Sequence, residues 1–136
     1  MISRVNLTGA TAATIRAAVH ETPDIEACGM LFGLSASGVL HVNSASRAKN
    51  IAARPWNRFE IAPEHLFDAQ RRHRAGPPWL VGIWHSHPNG DPTPSRYDAA
   101  RITDRNWLWL IATRTAIAAW VPDGEGFRPV PLAILL

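Results

Sequence analysis

The chain has 136 residues, 46% hydrophobic and 18% charged, which suits one globular domain over residues 1–136 and excludes a disordered chain. The net charge is +3, but the basic residues are scattered, which argues against a nucleic-acid surface, and no apolar run approaches the roughly 18 residues that span a membrane. A single cysteine rules out an internal disulfide and the first residues lack a signal-peptide pattern, so a cytoplasmic location is expected.

After a short polar start, Ile15, Ala18 and Val19 fall at helical spacing and predict a helix over Ala10 to His20, which Pro23 stops. Ala27 to Leu34 and Val39 to Val42 read as strands joined by a hairpin at Gly38. Arg58 to Ile61 reads as another strand. Pro63 opens a helix from Glu64 to Arg74, since proline suits a first turn. The run Arg71, Arg72, His73, Arg74 then lies at that helix's C-terminal end, where cations complement the dipole. Trp79 to Trp84 is the clearest buried strand. Asn89 to Pro94 contains Asn-Gly and two prolines and must be a loop. Ser95 to Asn106 reads as a helix, and Trp107 to Ala112, Ala116 to Val121 and Val130 to Leu135 as strands. The sum is a mixed α and β chain, one sheet flanked by helices.

His85 and His87 end the Trp79 strand. Residues at i and i+2 on a strand share a face, so both imidazoles can converge on one ion. The alternative is a pair of hydrogen-bonded or exposed histidines. Asp98 follows near a helix start, where it can supply a third ligand or, with Ser95, cap the helix. Two histidines and one carboxylate leave a fourth zinc position for water, the arrangement of a catalytic site. Such a site needs a base. Glu21, Asp24, Glu26, Glu60, Glu64 and Asp68 are all candidates, and Glu26 is favoured only because it directly precedes an apolar strand, where partial desolvation would raise its pKa.

The run His85-Ser86-His87-Pro88, six residues, Ser95, two residues, Asp98 resembles the JAMM signature of the JAB/MPN (Mov34) metalloprotease family. The segment Pro23 to Gly33 resembles that family's glutamate-bearing strand and places the glutamate at Glu26. Asn50 and the stretch Arg58 to Pro63 resemble its small stand-alone prokaryotic members. The resemblance implies a cytidine-deaminase-like fold with a curved, largely antiparallel or mixed sheet. It implies zinc held by His85, His87 and Asp98, with Glu26 as the general base. Ser95 would hydrogen-bond the developing oxyanion. Ser86 and Pro88 would shape the ligand loop, and Cys28 would be a packing residue.

By the same resemblance the activity is hydrolysis of an amide or isopeptide bond at the C-terminal Gly-Gly tail of a ubiquitin-like or sulfur-carrier protein. Such a tail can lie along a sheet edge. Trp56, Trp84 and Phe59 are candidates for the cleft, with core packing the stronger reading of each. Two other functions remain open: a cell-wall or phage-tail peptidase on the same fold, and a non-catalytic protein-binding scaffold.

Overall fold

A computed structural model describes all residues, Met1 to Leu136. In chain order the elements are β1 (Arg4–Thr8), α1 (Gly9–Glu21), β2 (Cys28–Ala36), β3 (Val39–Ala45), α2 (Pro63–Arg74), β4 (Trp79–Ser86), α3 (Arg96–Ala100), β5 (Leu108–Ala112), β6 (Ile117–Asp123), β7 (Gly126–Val130) and β8 (Leu132–Leu135). The eight strands form one mixed sheet in the order β7-β6-β5-β4-β2-β3-β1-β8. Pairing is antiparallel for β2 with β3 and β4, and for β6 with β5 and β7. It is parallel for β1 with β3 and β8, and for β4 with β5.

The connectivity forces this sheet to curl. Strands β7 and β8 lie at opposite edges of the order, yet only Pro131 separates them. One residue spans about 3.5 Å, so the two edges must meet and the sheet is nearly closed. One side-chain hydrogen bond reaches across the seam: Arg128 Nη2 of β7 donates to the Ile2 carbonyl just before β1 at 3.1 Å.

Curvature divides the apolar residues. Val5, Leu7, Leu31, Val42, Trp84, Leu108 and Leu110, from five strands, meet Ile15 and Ala18 of α1 in the larger core. The smaller core, on the opposite face, joins Met30, Phe32 and Ile83 to Phe59, Ile61 and Ala69 of α2. Because side chains alternate along a strand, Trp84 points to the α1 side while Ile83 and His85 point to the α2 side. That alternation decides which face of β4 carries the chemistry.

Gly29 permits the tightest approach in this region. It pairs with Trp84 across β2 and β4, and the Trp84 indole N–H donates to the Ser46 carbonyl at 2.8 Å. A Cβ on residue 29 would overlap that same carbonyl oxygen. Gly29→Ala is therefore expected to destabilise the protein by about 3 kcal/mol, from overpacking and loss of the indole hydrogen bond. A urea titration reads the change, and a midpoint equal to that of the native chain would contradict it.

Several sequence expectations need correction. The helix expected over Ser95 to Asn106 is only α3, five residues, because Ile102 and Trp107 turn into the smaller core and Asp104 caps a turn by accepting from Asn106 N–H. Arg58 to Ile61 is not a strand. It makes a single bridge, Asn50 to Ile61, because the Asn50 side chain takes the neighbouring backbone groups. Strand β1 was read as polar, although Val5 and Leu7 are fully buried. The strand expected over Val130 to Leu135 is broken at Pro131, which lacks the N–H to continue a ladder, and β7 before it was missed.

Candidate metal centre

At the end of β4 the chain brings four ligand-type side chains together. Glu26, His85, His87 and Asp98 are all buried, and one donor atom of each lies within 4.8 Å of the others. His85 Nε2 is 3.0 Å from His87 Nε2 and 3.0 Å from Asp98 Oδ1, while His87 Nε2 is 3.2 Å from Asp98 Oδ2. The Glu26 carboxylate stands back, with Oε2 4.0 Å from His87 Nε2.

Each group is placed by its backbone. Antiparallel pairing sets Cys28 opposite His85 and so carries Glu26 to the same end of the sheet. Ser86 clamps that crossing: its Oγ accepts from Ala27 N–H at 2.8 Å, and its own N–H donates to the Ala27 carbonyl at 2.9 Å. Glu26 N–H donates to the Pro55 carbonyl at 2.7 Å. Phe59 stacks on the His85 ring with centroids 4.4 Å apart, and Trp109 meets it edge-on at 5.7 Å.

The capping reading of Asp98 is seen directly, and it leaves the carboxylate in a position from which it could also bind a metal. Ser95 Oγ accepts from Asp98 N–H and Asp98 Oδ2 accepts from Ser95 N–H, a complete capping box. The cap fixes the carboxylate while its oxygens face the two imidazoles. Ser95 Oγ only accepts in this box, so its hydroxyl proton is free to be donated.

The donor set fits a cation. His87 Nδ1 lies 2.8 Å from the Asp91 carbonyl, which can only accept, so Nδ1 carries the proton and the neutral ring turns its Nε2 lone pair inward. That lone pair faces a second imidazole nitrogen and a carboxylate oxygen. Such a trio repels itself unless a positive centre sits among it, a metal ion or, in the metal-free chain, protons on the imidazoles that donate to Asp98. Tetrahedral ligands at zinc bond lengths are roughly 3.3 Å apart, close to the spacings seen. Asp98 is held below the ordinary carboxylate range: burial opposes this, and the hydrogen bonds from His85 and His87 override it. Burial pushes His85 below the usual imidazole value. His87 is raised against its burial by the hydrogen bond to Asp98.

Glu26 differs from every other acid considered. Burial pushes its pKa up to about 8, opposed by His87 and reinforced by Asp98. Its Oε1 is buried with no hydrogen-bond partner. Glu21 pairs with Arg47, Glu60 with Arg101 and Asp68 with Arg71, all at the surface. The neighbouring Cys28 thiol is fully buried and pushed up to about 12, chiefly by burial, so it is inert packing. Of the aromatic cleft candidates, Trp84 and Phe59 are core residues and only Trp56, 57% exposed, reaches solvent. The basic run closes α2 as expected, with Arg72 over the Phe32 ring and Arg71 paired to Asp68.

The role of Asn50 was not legible in the sequence beyond its resemblance. Its Nδ2 donates to the carbonyls of Glu26 (2.9 Å) and Arg58 (2.9 Å), and its Oδ1 accepts from Ala52 and Glu60 N–H. One side chain thus ties the Glu26 segment to the loop that carries Phe59. A lone amide in an irregular stretch gives no periodicity by which to find it.

The class this fold and site define is a JAB-type hydrolase with a side-chain cluster able to hold a metal ion. The chain belongs to the family described as prokaryotic homologs of the JAB domain, whose model matches residues 9–123. It is 31% identical over 115 residues to a protein of Haloferax volcanii named Desampylase, covering 82% of this chain and 80% of that one. Two solution structures share the fold. One, from Desulfitobacterium hafniense, has a TM-score of 0.84 at 21% identity, covering 96% of this chain and 92% of that chain. The other, from Salinibacter ruber, has a TM-score of 0.69 at 20% identity, covering 95% and 90%. No helix is long and apolar enough to cross a membrane.

Proposed function

We propose that the protein is a zinc-dependent isopeptidase, a single cytoplasmic domain that hydrolyses the amide or isopeptide bond at the Gly-Gly tail of a ubiquitin-like or sulfur-carrier protein. His85, His87 and Asp98 hold the metal. The observation that carries the reading is the buried Glu26, its Oε1 without a hydrogen-bond partner, beside that His-His-Asp set. The name of the Haloferax volcanii relative, Desampylase, supports a protein-conjugate substrate.

When bound, the ion contributes Lewis acidity, which lowers the pKa of a water to near neutrality. Glu26 does the proton work. It accepts the proton of the attacking water and delivers it to the leaving amine nitrogen, a double use that suits a buried carboxyl with no other hydrogen-bond partner on Oε1. Ser95 Oγ–H donates to the oxygen on which negative charge develops. Phe59 and Trp109 brace His85 and keep bulk water from its ring. A pure binding scaffold gains nothing from burying two carboxylates against two imidazoles, a costly arrangement without a cation.

Elemental analysis of the purified protein is expected to find about one zinc per chain. The zinc-loaded protein is expected to cleave a ubiquitin-like protein carrying a Gly-Gly-linked group, and a chelator to stop it. A native chain that takes up no zinc from a zinc-supplemented buffer would refute the proposal.

A further inference from the structure

Arg58 and Arg96 converge on one ring. The guanidinium carbon of Arg58 lies 4.1 Å from the Tyr97 ring centroid and that of Arg96 5.0 Å from it. Arg96 Nη2 also donates to the Tyr97 hydroxyl at 3.1 Å. Neither arginine has an acidic partner. The arginine ion pairs of this chain join Arg47 to Glu21, Arg71 to Asp68 and Arg101 to Glu60. Two cations held against one phenol repel each other, and the ring's π face offsets only part of that. An anion within reach of both would relieve the rest.

Their position gives such an anion a purpose. Arg58 directly precedes Phe59, whose ring stacks on His85, and Tyr97 directly precedes Asp98. Arg58 is held by its carbonyl, which accepts from the same Asn50 amide that holds the Glu26 carbonyl. Arg96 is exposed and Arg58 half-buried, so both guanidinium groups remain reachable. A planar guanidinium matches a carboxylate through two parallel hydrogen bonds, which a phenol or amide cannot reproduce.

We propose that Arg58 and Arg96, set by Tyr97, form a carboxylate-reading subsite that selects substrates with a carboxylate within a residue or two of the scissile bond. The word substrate rests on the hydrolase reading above; the anion site does not. Two sources offer this chemistry. One is the free α-carboxylate of a single amino acid or short peptide released as the leaving group. The other is an acidic side chain in the tail just before Gly-Gly.

Tyr97 is the only tyrosine in the chain, so protein labelled with 3-fluorotyrosine gives one fluorine NMR resonance, placed at the subsite itself. Metal-free protein is titrated with three N-acetylated peptides. The first is Gln-Gly-Gly-Gln amide, which has no carboxylate. The second is the same peptide with a free C-terminal carboxylate, and the third is Glu-Gly-Gly-Gln amide. At least one carboxylate peptide is expected to shift the resonance saturably with a Kd roughly tenfold or more below that of the first. Which one gains identifies the source. Arg58→Gln and Arg96→Gln are each expected to erase the preference while keeping the zinc content of the native chain, which a misfolded variant would lose. Equal responses to all three peptides, no response, or a preference that survives both substitutions would overturn the subsite. A carboxylate preference found in a protein that hydrolyses nothing would instead retire the hydrolase reading and leave the subsite standing.

Discussion

Glu26→Gln is expected to lower kcat by roughly 10²–10⁴-fold, the usual worth of a positioned general base, while about one metal per chain remains bound. The substitution preserves shape. The backbone anchors of residue 26, to Pro55 and Asn50, do not involve its side chain. What disappears is the carboxylate proposed to exchange a proton. The same variant carries a stability signature. In the metal-free protein burial raises the Glu26 pKa from 4.5 to about 8, so the folded chain retains a proton that the unfolded chain gives up. For a raised carboxyl the associated stability is complete below pH 4.5 and drains away as pH climbs toward 8. Glutamine cannot ionise. Metal-free Glu26→Gln should therefore melt several degrees above the native chain at pH 8 and show little of this difference at pH 4.5. Calorimetry in the presence of chelator, with turnover and metal content measured on the same preparations, tests both halves. Identical melting at pH 8 would mean that the carboxyl is not desolvated. Unchanged kcat would remove it from the chemistry.

Asp98→Ala and His87→Ala are expected to weaken metal binding by at least about a hundredfold and to abolish hydrolysis with it. The two differ in what else they break. Asp98 also closes the capping box of α3 with Ser95, so its loss to alanine should cost about 1 kcal/mol of folding stability from the cap alone. Asp98→Asn retains a side-chain oxygen for Ser95 N–H but removes the charge that faces both imidazoles. It should therefore lose the metal with the smaller change in stability. Elemental analysis after dialysis and thermal melts of the three variants separate ligation from capping. Native metal content in Asp98→Ala would mean that Glu26, not Asp98, is the third ligand.

The parts of the centre that obey a period were the parts readable from the sequence. His85 and His87 share a face because β4 is a strand, and its apolar run up to Trp84 announces that strand. Asp98 was legible only as an ambiguity between cap and ligand, and in the folded chain the carboxylate that caps α3 also faces both imidazoles. Glu26 is otherwise one acid among many. What sets it apart is the pairing of Cys28 with His85, a contact across more than fifty residues that no local pattern encodes. The resemblance to the JAMM signature supplied what local physics could not. The errors share a cause as well. Arg58 to Ile61 has strand-like residues but its pairing groups are claimed by a side chain. Ser95 to Asn106 has helical residues whose course is diverted by burial of Ile102 and Trp107. In each, a tertiary contact overrules a local preference.

The Asn50 amide has a dynamic consequence. The N–H groups of Ala52 and Glu60 lie in irregular backbone, yet both donate to the same oxygen, and the nitrogen on that amide grips the carbonyls of Glu26 and Arg58. Releasing any one of these without the others would strand a polar group, so they open together or not at all. Amide protons of this loop should exchange with solvent as one slow, cooperative set, at a rate closer to that of β2 than to that of a surface turn. The wall beside the Glu26, His85, His87 and Asp98 cluster is then held stiff by a side chain in place of regular secondary structure.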